Sequence, residues 1–241
     1  MSIRRILLLN LLGLLLLFSW WQTTLPIWPP LNHGIFFGFN NTFTAAHPVW
    51  VTFIAALNTR IYDVVSFLLM LAVLFFSMLG DKRPDRQWYW FSVGFTMLLT
   101  AGIIALFDNN ISYHHNSPSL YFSHLGEHVN FLSHMVDFST KDSAGDSFPG
   151  DHGMMLMVFA SYVLKFSRAP FKTIAVLMVP IFSMPRIIAG AHWFEDVYMG
   201  SLSIALIILP WVLMTPLAEK VVATVYAVTR KVRRSRSPAA M

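Results

Sequence analysis

The sequence predicts an all-α fold, a bundle of six helices that each cross a membrane. Three observations carry that reading. Hydrophobic residues make up 56% of the 241 positions and charged residues only 12%, a balance that water-soluble domains do not keep. The apolar residues fall into runs near the length needed to cross about 30 Å of hydrocarbon. Fourteen of the seventeen Lys and Arg fall on one side of those runs, leaving only Arg60, Lys141 and Arg186 on the other.

The elements follow in order. Arg4 and Arg5 precede an apolar run over 6–21. It is read as an uncleaved anchor, because no small-residue cleavage site follows and Trp20-Trp21 form an aromatic pair suited to the interface. Residues 22–60 are mixed, with prolines at 26, 29 and 30. The apolar stretch 49–57 is too short to span, so it is expected in the interface or tucked against the bundle. A second span covers 64–79 and ends in the charged loop around Arg83; a third covers 88–107. A polar, histidine-rich loop fills 108–151. The fourth, fifth and sixth spans are expected over 152–164, 171–189 and 197–217, before a basic tail. The domain reading is one membrane domain over 1–232 and a disordered basic tail over 233–241.

Six spans return the chain to the side on which it starts. The lysine and arginine asymmetry then puts both termini in the cytoplasm, and all nine histidines on the outer face. The net charge of +5 is spent on these topology signals and in contact with the bilayer, not on nucleic acid. Cysteine is absent, which excludes disulfides and thiolate metal sites. His124 and His128 have helical zinc spacing, but scattered carboxylates and no cysteine favour loop polarity, so no metal and no cofactor is expected. A histidine-rich transporter would need ionisable groups at mid-span, and the runs hold essentially none.

Two polar stretches stand at the ends of apolar runs, where polar groups are expensive unless they do something. One is Ser147-Phe148-Pro149-Gly150-Asp151-His152. Its Pro149-Gly150 turn delivers His152 to a helix start, where backbone N–H groups and the helix dipole favour an anion; Asp151 is read as the helix N-cap. The other is Arg186, His192 and Asp196. His192 and Asp196 are four apart and share a helix face, so the carboxylate can orient the imidazole for nucleophilic or base catalysis. Arg186 supplies a planar cation that fits phosphate oxygens. Two histidines, an arginine, an aspartate and a helix N-terminus read as a phosphoryl-transfer site.

The pattern Arg186-x5-His192-x3-Asp196, with Pro149-x2-His152 before it, resembles the type 2 phosphatidic acid phosphatase superfamily. Thr140-Lys141-Asp142, the run from Asp146 to Met155, Gly190-Ala191-His192-Trp193-Phe194 and Leu209-Pro210-Trp211-Val212-Leu213 are similar to its bacterial lipid A phosphotransferase branch. That resemblance implies an inner-membrane enzyme with its active site facing the periplasm. It implies a transfer of phosphate from undecaprenyl pyrophosphate to the 1-phosphate of lipid A, giving the 1-diphosphate and undecaprenyl phosphate. It also implies roles: His192 as the nucleophile that becomes phosphohistidine, Asp196 as its orienting partner, His152 as general acid, and Arg186 on the transferring group. A lipid phosphatase of the same fold is the alternative, with water as acceptor.

The sequence departs from the superfamily in two places. Pro149-Gly150-Asp151-His152 stands where Pro-Ser-Gly-His is usual, so Ser147 and the Gly150 backbone are the expected phosphate donors. The first motif's lysine and arginine are replaced by His114-His115-Asn116-Ser117-Pro118. Lys141, the only outer-face lysine, is assigned as the substitute cation, with His114 and His115 as competitors.

Overall fold

The computed structural model describes residues 3–22, 24, 26–108, 110 and 113–236, the last four as backbone only. It is built of helices: α1 (Ile3–Trp21), α2 (Trp28–Asn40), α3 (Pro48–Ala56), α4 (Arg60–Leu79), α5 (Arg86–Asp108) and α6 (Pro118–His124). These are followed by α7 (Asp151–Phe166), α8 (Ala169–Ile188), a π-helical turn (Asp196–Ser201) running into α9 (Leu202–Leu213), and α10 (Leu217–Arg236).

Helix α7 is the centre of the bundle, packed between α5, α8 and α9. Its sequence is apolar nearly all round, and Leu156, Val158, Phe159, Tyr162 and Val163 are all buried, as expected of a helix with neighbours on every side. The polar tip of Tyr162 is satisfied inside the bundle by Thr100 of α5 at 2.6 Å.

Around α7 stand helices with one face on the bundle and the other bare. Helix α4 exposes Phe67, Leu68, Leu71, Phe75 and Phe76, and α1 exposes Leu7, Leu11, Leu14, Leu15 and Phe18. In water such surfaces would be a liability; against lipid tails they cost nothing. Among the described residues, five helical segments are long and apolar enough to cross a membrane: α1, α4, α5, α8 and the stretch from Asp196 to Leu213. Helix α7, at 16 residues, is shorter than these.

Small residues set the close contacts. Gly13 of α1 lies against Ser203 and Ile207 of α9, so that a Cβ there would stand 2.9 Å from each. Asn10 reinforces the notch by donating to the Leu206 and Ile207 carbonyls at 3.0 Å. At the other side of α9, Val197 presses on both Gly150 and Gly153, where a Cβ would meet it at 2.9 and 2.7 Å. The start of α7 and the π turn are thereby held in contact, and this positions the site.

Two expectations for the elements are corrected, at 28–40 and after 217, and one, at 49–57, is met. Residues 28–40, read as mixed, form α2, which accepts Pro29 and Pro30 because they lie in its first turn, where their missing N–H groups are not needed. The stretch 49–57 tucks against the bundle as α3, with Val51, Ile54 and Ala55 buried beside Phe43, Leu132 and Ala189. The basic segment after residue 217 is a helix lying on α5, its Ala218 and Val222 buried in the main core. Its backbone stays helical through Arg236; the rest of the expected disordered tail, 237–241, lies outside the described residues.

Candidate active site

The site forms at one end of the bundle. The first turns of α4 and α7, the last turn of α8, the π turn and the loop 113–117 all meet there. The basic loops gather at the opposite end, where Lys165 pairs with Glu219 and Arg230 with Asp85.

Arg186 and His192 are tied through the end of α8. Gly190 has φ of +82°, a left-handed conformation that glycine adopts without strain and that stops a helix. The chain folds back so that both Ala191 and His192 donate their backbone N–H to the Arg186 carbonyl, at 3.0 and 3.2 Å. The five-residue gap in the motif is therefore the length of one helix-stopping turn.

Arg186 is buried, its side chain 5% exposed. Its Nη2 donates to both oxygens of Asp63, at 2.7 and 2.9 Å, and its Nη1 donates to the Asn58 carbonyl at 3.3 Å. Asp63 Oδ1 also meets His152 Nε2 at 3.0 Å. One carboxylate thus bridges the arginine and the histidine expected to handle the transferring and leaving groups. Asp63 was not among the residues that sequence reasoning singled out. It sits one residue before an apolar run and reads as ordinary capping polarity; an acid on the sparsely charged side of the chain was the available signal.

His192 and Asp196 form a second knot. His192 Nδ1 donates to the Ser147 carbonyl at 2.9 Å, while Asp196 Oδ2 stands 3.6 Å away, beyond hydrogen-bond length. Among the described residues, no hydrogen bond reaches Nε2 of His192. Asp196 is fully buried, 0% exposed. It accepts the Trp193 backbone N–H at 2.8 Å on Oδ2 and meets His115 Nε2 at 2.8 Å on Oδ1. The π turn that begins at Asp196 is the sort of local unwinding found at functional sites; Ser201 Oγ stitches it to α7 by donating to the Gly150 carbonyl at 2.9 Å.

The remaining expected residues divide. Gly150, not Asp151, takes the N-cap position of α7, and no side chain caps that end. Asp151 is the first helical residue and is exposed, so its expected capping role is corrected; a glycine there lets the chain approach Val197. Ser147 is buried, and its hydroxyl faces the His115 carbonyl at 3.4 Å, so its carbonyl is the part that touches His192. Lys141 lies beside Arg186: its backbone N–H donates to the same Asn58 carbonyl at 2.9 Å. Burial, and after it the Arg186 charge, hold the Lys141 ammonium below its ordinary pKa. His115 is turned inward onto Asp196. His114 points out, its Nδ1 2.7 Å from exposed Asp146, and is not brought to the other groups.

A cavity of about 560 Å³ opens beside this constellation between α4, α5 and α7. His152, Asp63, Asp108 and Asp151 line it together with apolar Phe67, Met70 and Met155. On the opposite side of His192, Glu195 is buried. Burial pushes its carboxyl above the usual range, opposed by hydrogen bonds from Asn32 and Trp20.

Taken as chemistry, the arrangement offers an imidazole with a free Nε2, a second imidazole held by a carboxylate, and a buried guanidinium. All three point to phosphate handling without a need for redox or acyl chemistry. Comparison with known proteins agrees. Residues 89–219 match the PAP2 superfamily. Over 227 residues, 92% of either chain, the sequence is 35% identical to lipid A 1-diphosphate synthase of Escherichia coli (strain K12). No solved structure matches the chain. The protein is an enzyme that acts on phosphate groups, and by the extent of both matches the chain belongs to the PAP2 superfamily.

Proposed function

We propose that the protein transfers a phosphate from undecaprenyl pyrophosphate to the 1-phosphate of lipid A through a phosphohistidine at His192. The observation that carries this reading is the tie between His192 Nδ1 and the Ser147 carbonyl at 2.9 Å. It fixes the tautomer and aims the free Nε2 as a nucleophile. The 35% identity to a lipid A 1-diphosphate synthase over nearly the whole chain supports lipid A as the acceptor.

In the first half-reaction His192 Nε2 attacks the terminal phosphorus of the donor. The bond from that phosphorus to the bridging oxygen breaks, and undecaprenyl phosphate leaves with a proton from His152. In the second, an oxygen of the lipid A 1-phosphate attacks the phosphorus on His192. The P–N bond breaks, and His152 takes up the proton given by the acceptor. Arg186 and Lys141 offset the charge on the transferring group, and the N–H groups at the start of α7 after Gly150 add partial positive charge. Asp63 holds both Arg186 and His152 until phosphate oxygens take their place beside the guanidinium.

The location of the site follows from charge. Counting α7 with the five longer segments gives six crossings of the inner membrane. Both termini then lie with the basic loops in the cytoplasm, and the site faces the periplasm, where both lipids present their phosphates.

Purified enzyme given undecaprenyl pyrophosphate labelled in its terminal phosphate tests the reading. With lipid A present, label should appear in lipid A 1-diphosphate. Release of inorganic phosphate at the same rate with and without lipid A would make water the acceptor and the enzyme a phosphatase.

A further inference from the structure

We propose that His115 is a positioning residue for the nucleophile: it holds Asp196 and the Ser147 carbonyl in place around His192, and does not itself bind phosphate. The proposal rests on the reading of His192 as the attacking group.

Two separate contacts from His115 reach the two groups that surround His192. Its ring places Nε2 at 2.8 Å from Asp196 Oδ1. Its backbone carbonyl accepts the Ser147 N–H at 3.0 Å, which sets the Ser147 peptide so that the Ser147 carbonyl meets His192 Nδ1 at 2.9 Å. One tautomer satisfies the ring. Nε2–H donates to Asp196, whose carboxylate can only accept, and Nδ1 accepts from the Tyr113 hydroxyl at 3.3 Å. With both nitrogens occupied, no ring donor remains for a phosphate oxygen.

The ring is also clamped. It stacks on Trp193, with centroids 6.1 Å apart and planes 30° apart, and meets the edge of Phe148 at 5.9 Å. Trp193 in turn donates its Nε1–H to the Asn116 carbonyl at 2.8 Å, so the loop carrying His115 is pinned to the segment carrying His192. Removing the ring would strand a fully buried carboxylate oxygen. A buried carboxylate short of a donor takes up a proton or turns toward another one. The nearest alternative is His192, which is 3.6 Å from Oδ2, and either response spoils the alignment of the nucleophile. Attack puts positive charge on the His192 ring, and a fixed anion 3.6 Å away counts most at that moment. The contribution of His115 is therefore to the rate of the chemical step, not to lipid binding.

The test is steady-state kinetics on full-length enzyme in detergent with labelled undecaprenyl pyrophosphate and lipid A. His115→Leu removes the donor; His115→Gln keeps an N–H near the position of Nε2. The expected result is a kcat for His115→Leu lower by roughly ten- to a hundredfold, with KM for the donor lipid within about twofold of wild type. His115→Gln should recover most of that loss. In Asp196→Asn the further effect of His115→Leu should shrink, because the two act as a unit. A rise in KM with unchanged kcat would make His115 a substrate ligand and overturn the proposal, as would wild-type kinetics in His115→Leu. If His115→Leu does not fold, His115→Phe, which keeps a ring and loses the donor, takes its place: a ten- to hundredfold loss in kcat that His115→Gln recovers supports the proposal, and wild-type kinetics overturns it. His192→Ala is run alongside. Turnover by that variant overturns the nucleophile assignment and this proposal with it. An inactive His192→Ala beside a wild-type His115→Leu overturns this proposal alone.

Discussion

Asp63 and Arg186, 123 positions apart in sequence, form an ion pair in which one guanidinium nitrogen reaches both carboxylate oxygens, at 2.7 and 2.9 Å. The same carboxylate meets His152 at 3.0 Å. A single acidic side chain from α4 thereby sets the orientation of a cation from α8 and an imidazole from α7.

Asp63→Ala should hurt both folding and catalysis. Removing one partner of a buried pair costs roughly 3–5 kcal/mol, and the low end applies because Asp63 is 33% exposed. Asp63→Asn keeps the shape and one acceptor, so its thermal midpoint should stay closer to wild type. Its kcat/KM should still fall about ten- to a hundredfold, since His152 loses the carboxylate that holds it. Normal kinetics in Asp63→Asn would remove Asp63 from the mechanism.

His192→Ala should abolish transfer and hydrolysis alike while the protein still inserts into the membrane. His152→Ala should slow the first half-reaction by about 10²–10⁴-fold, because undecaprenyl phosphate then leaves without a proton. In that variant, undecaprenyl phosphate formation should become rate-limiting. A phosphoenzyme, read by alkaline denaturing quench of labelled enzyme and losing its label on later acid treatment, should be found in wild type and never in His192→Ala.

Lys141 carries a charge that its surroundings disfavour. Burial and the neighbouring Arg186 lower its pKa, so its protonated form is lost as pH rises sooner than for an ordinary lysine. If that charge steadies phosphate, kcat/KM should decline on the alkaline side before the pH at which an ordinary lysine loses its proton. Lys141→Arg should push that decline to higher pH, since a guanidinium stays charged. Lys141→Ala should lose about ten- to a hundredfold at neutral pH, equal to roughly 1.5–3 kcal/mol for one charge-assisted contact. An alkaline limb unchanged in Lys141→Arg, with Lys141→Ala at wild-type rates, would leave the lysine without a role.

A reporter fused after residue 241 should be active in the cytoplasm, and one inserted beside His124, at the end of α6, should be active outside. Both reporters on one side would make the number of crossings after His124 even and overturn the six-crossing count.

How much of this could be read in advance depended on distance along the chain. Helices α1, α4, α5 and α8 fell within about four residues of their expected limits, because apolar runs and charged loops are local signals. Arg186, His192 and Asp196 were legible for the same reason, since one turn and one π segment hold them together. Asp63 was not, because its partners lie on two other helices and nothing in spacing announces them. His115 was seen only as a possible stand-in for a missing cation. Its contact with Asp196 spans 81 positions and depends on how a polar loop folds over the bundle end. Ser147 was credited for its hydroxyl, whereas its carbonyl is what the fold presents to His192; residue type says little about backbone groups. Helix α2 was obscured by its prolines, which punctuate a chain when they fall inside a helix and start one when they fall at its first turn.

The carbonyl of Arg186, which receives the N–H of both Ala191 and His192, has a mechanical consequence. The backbones that carry the Arg186 cation and the His192 ring are thereby held together with the end of α8, so the two side chains spring from one base. On the proposed two-step transfer, larger adjustments then fall to the other walls. These are α4, which brings Asp63, and the start of α7, which brings His152. A phosphate bound there would meet a firm base on the α8 side, with the cavity lying between the two elements opposite.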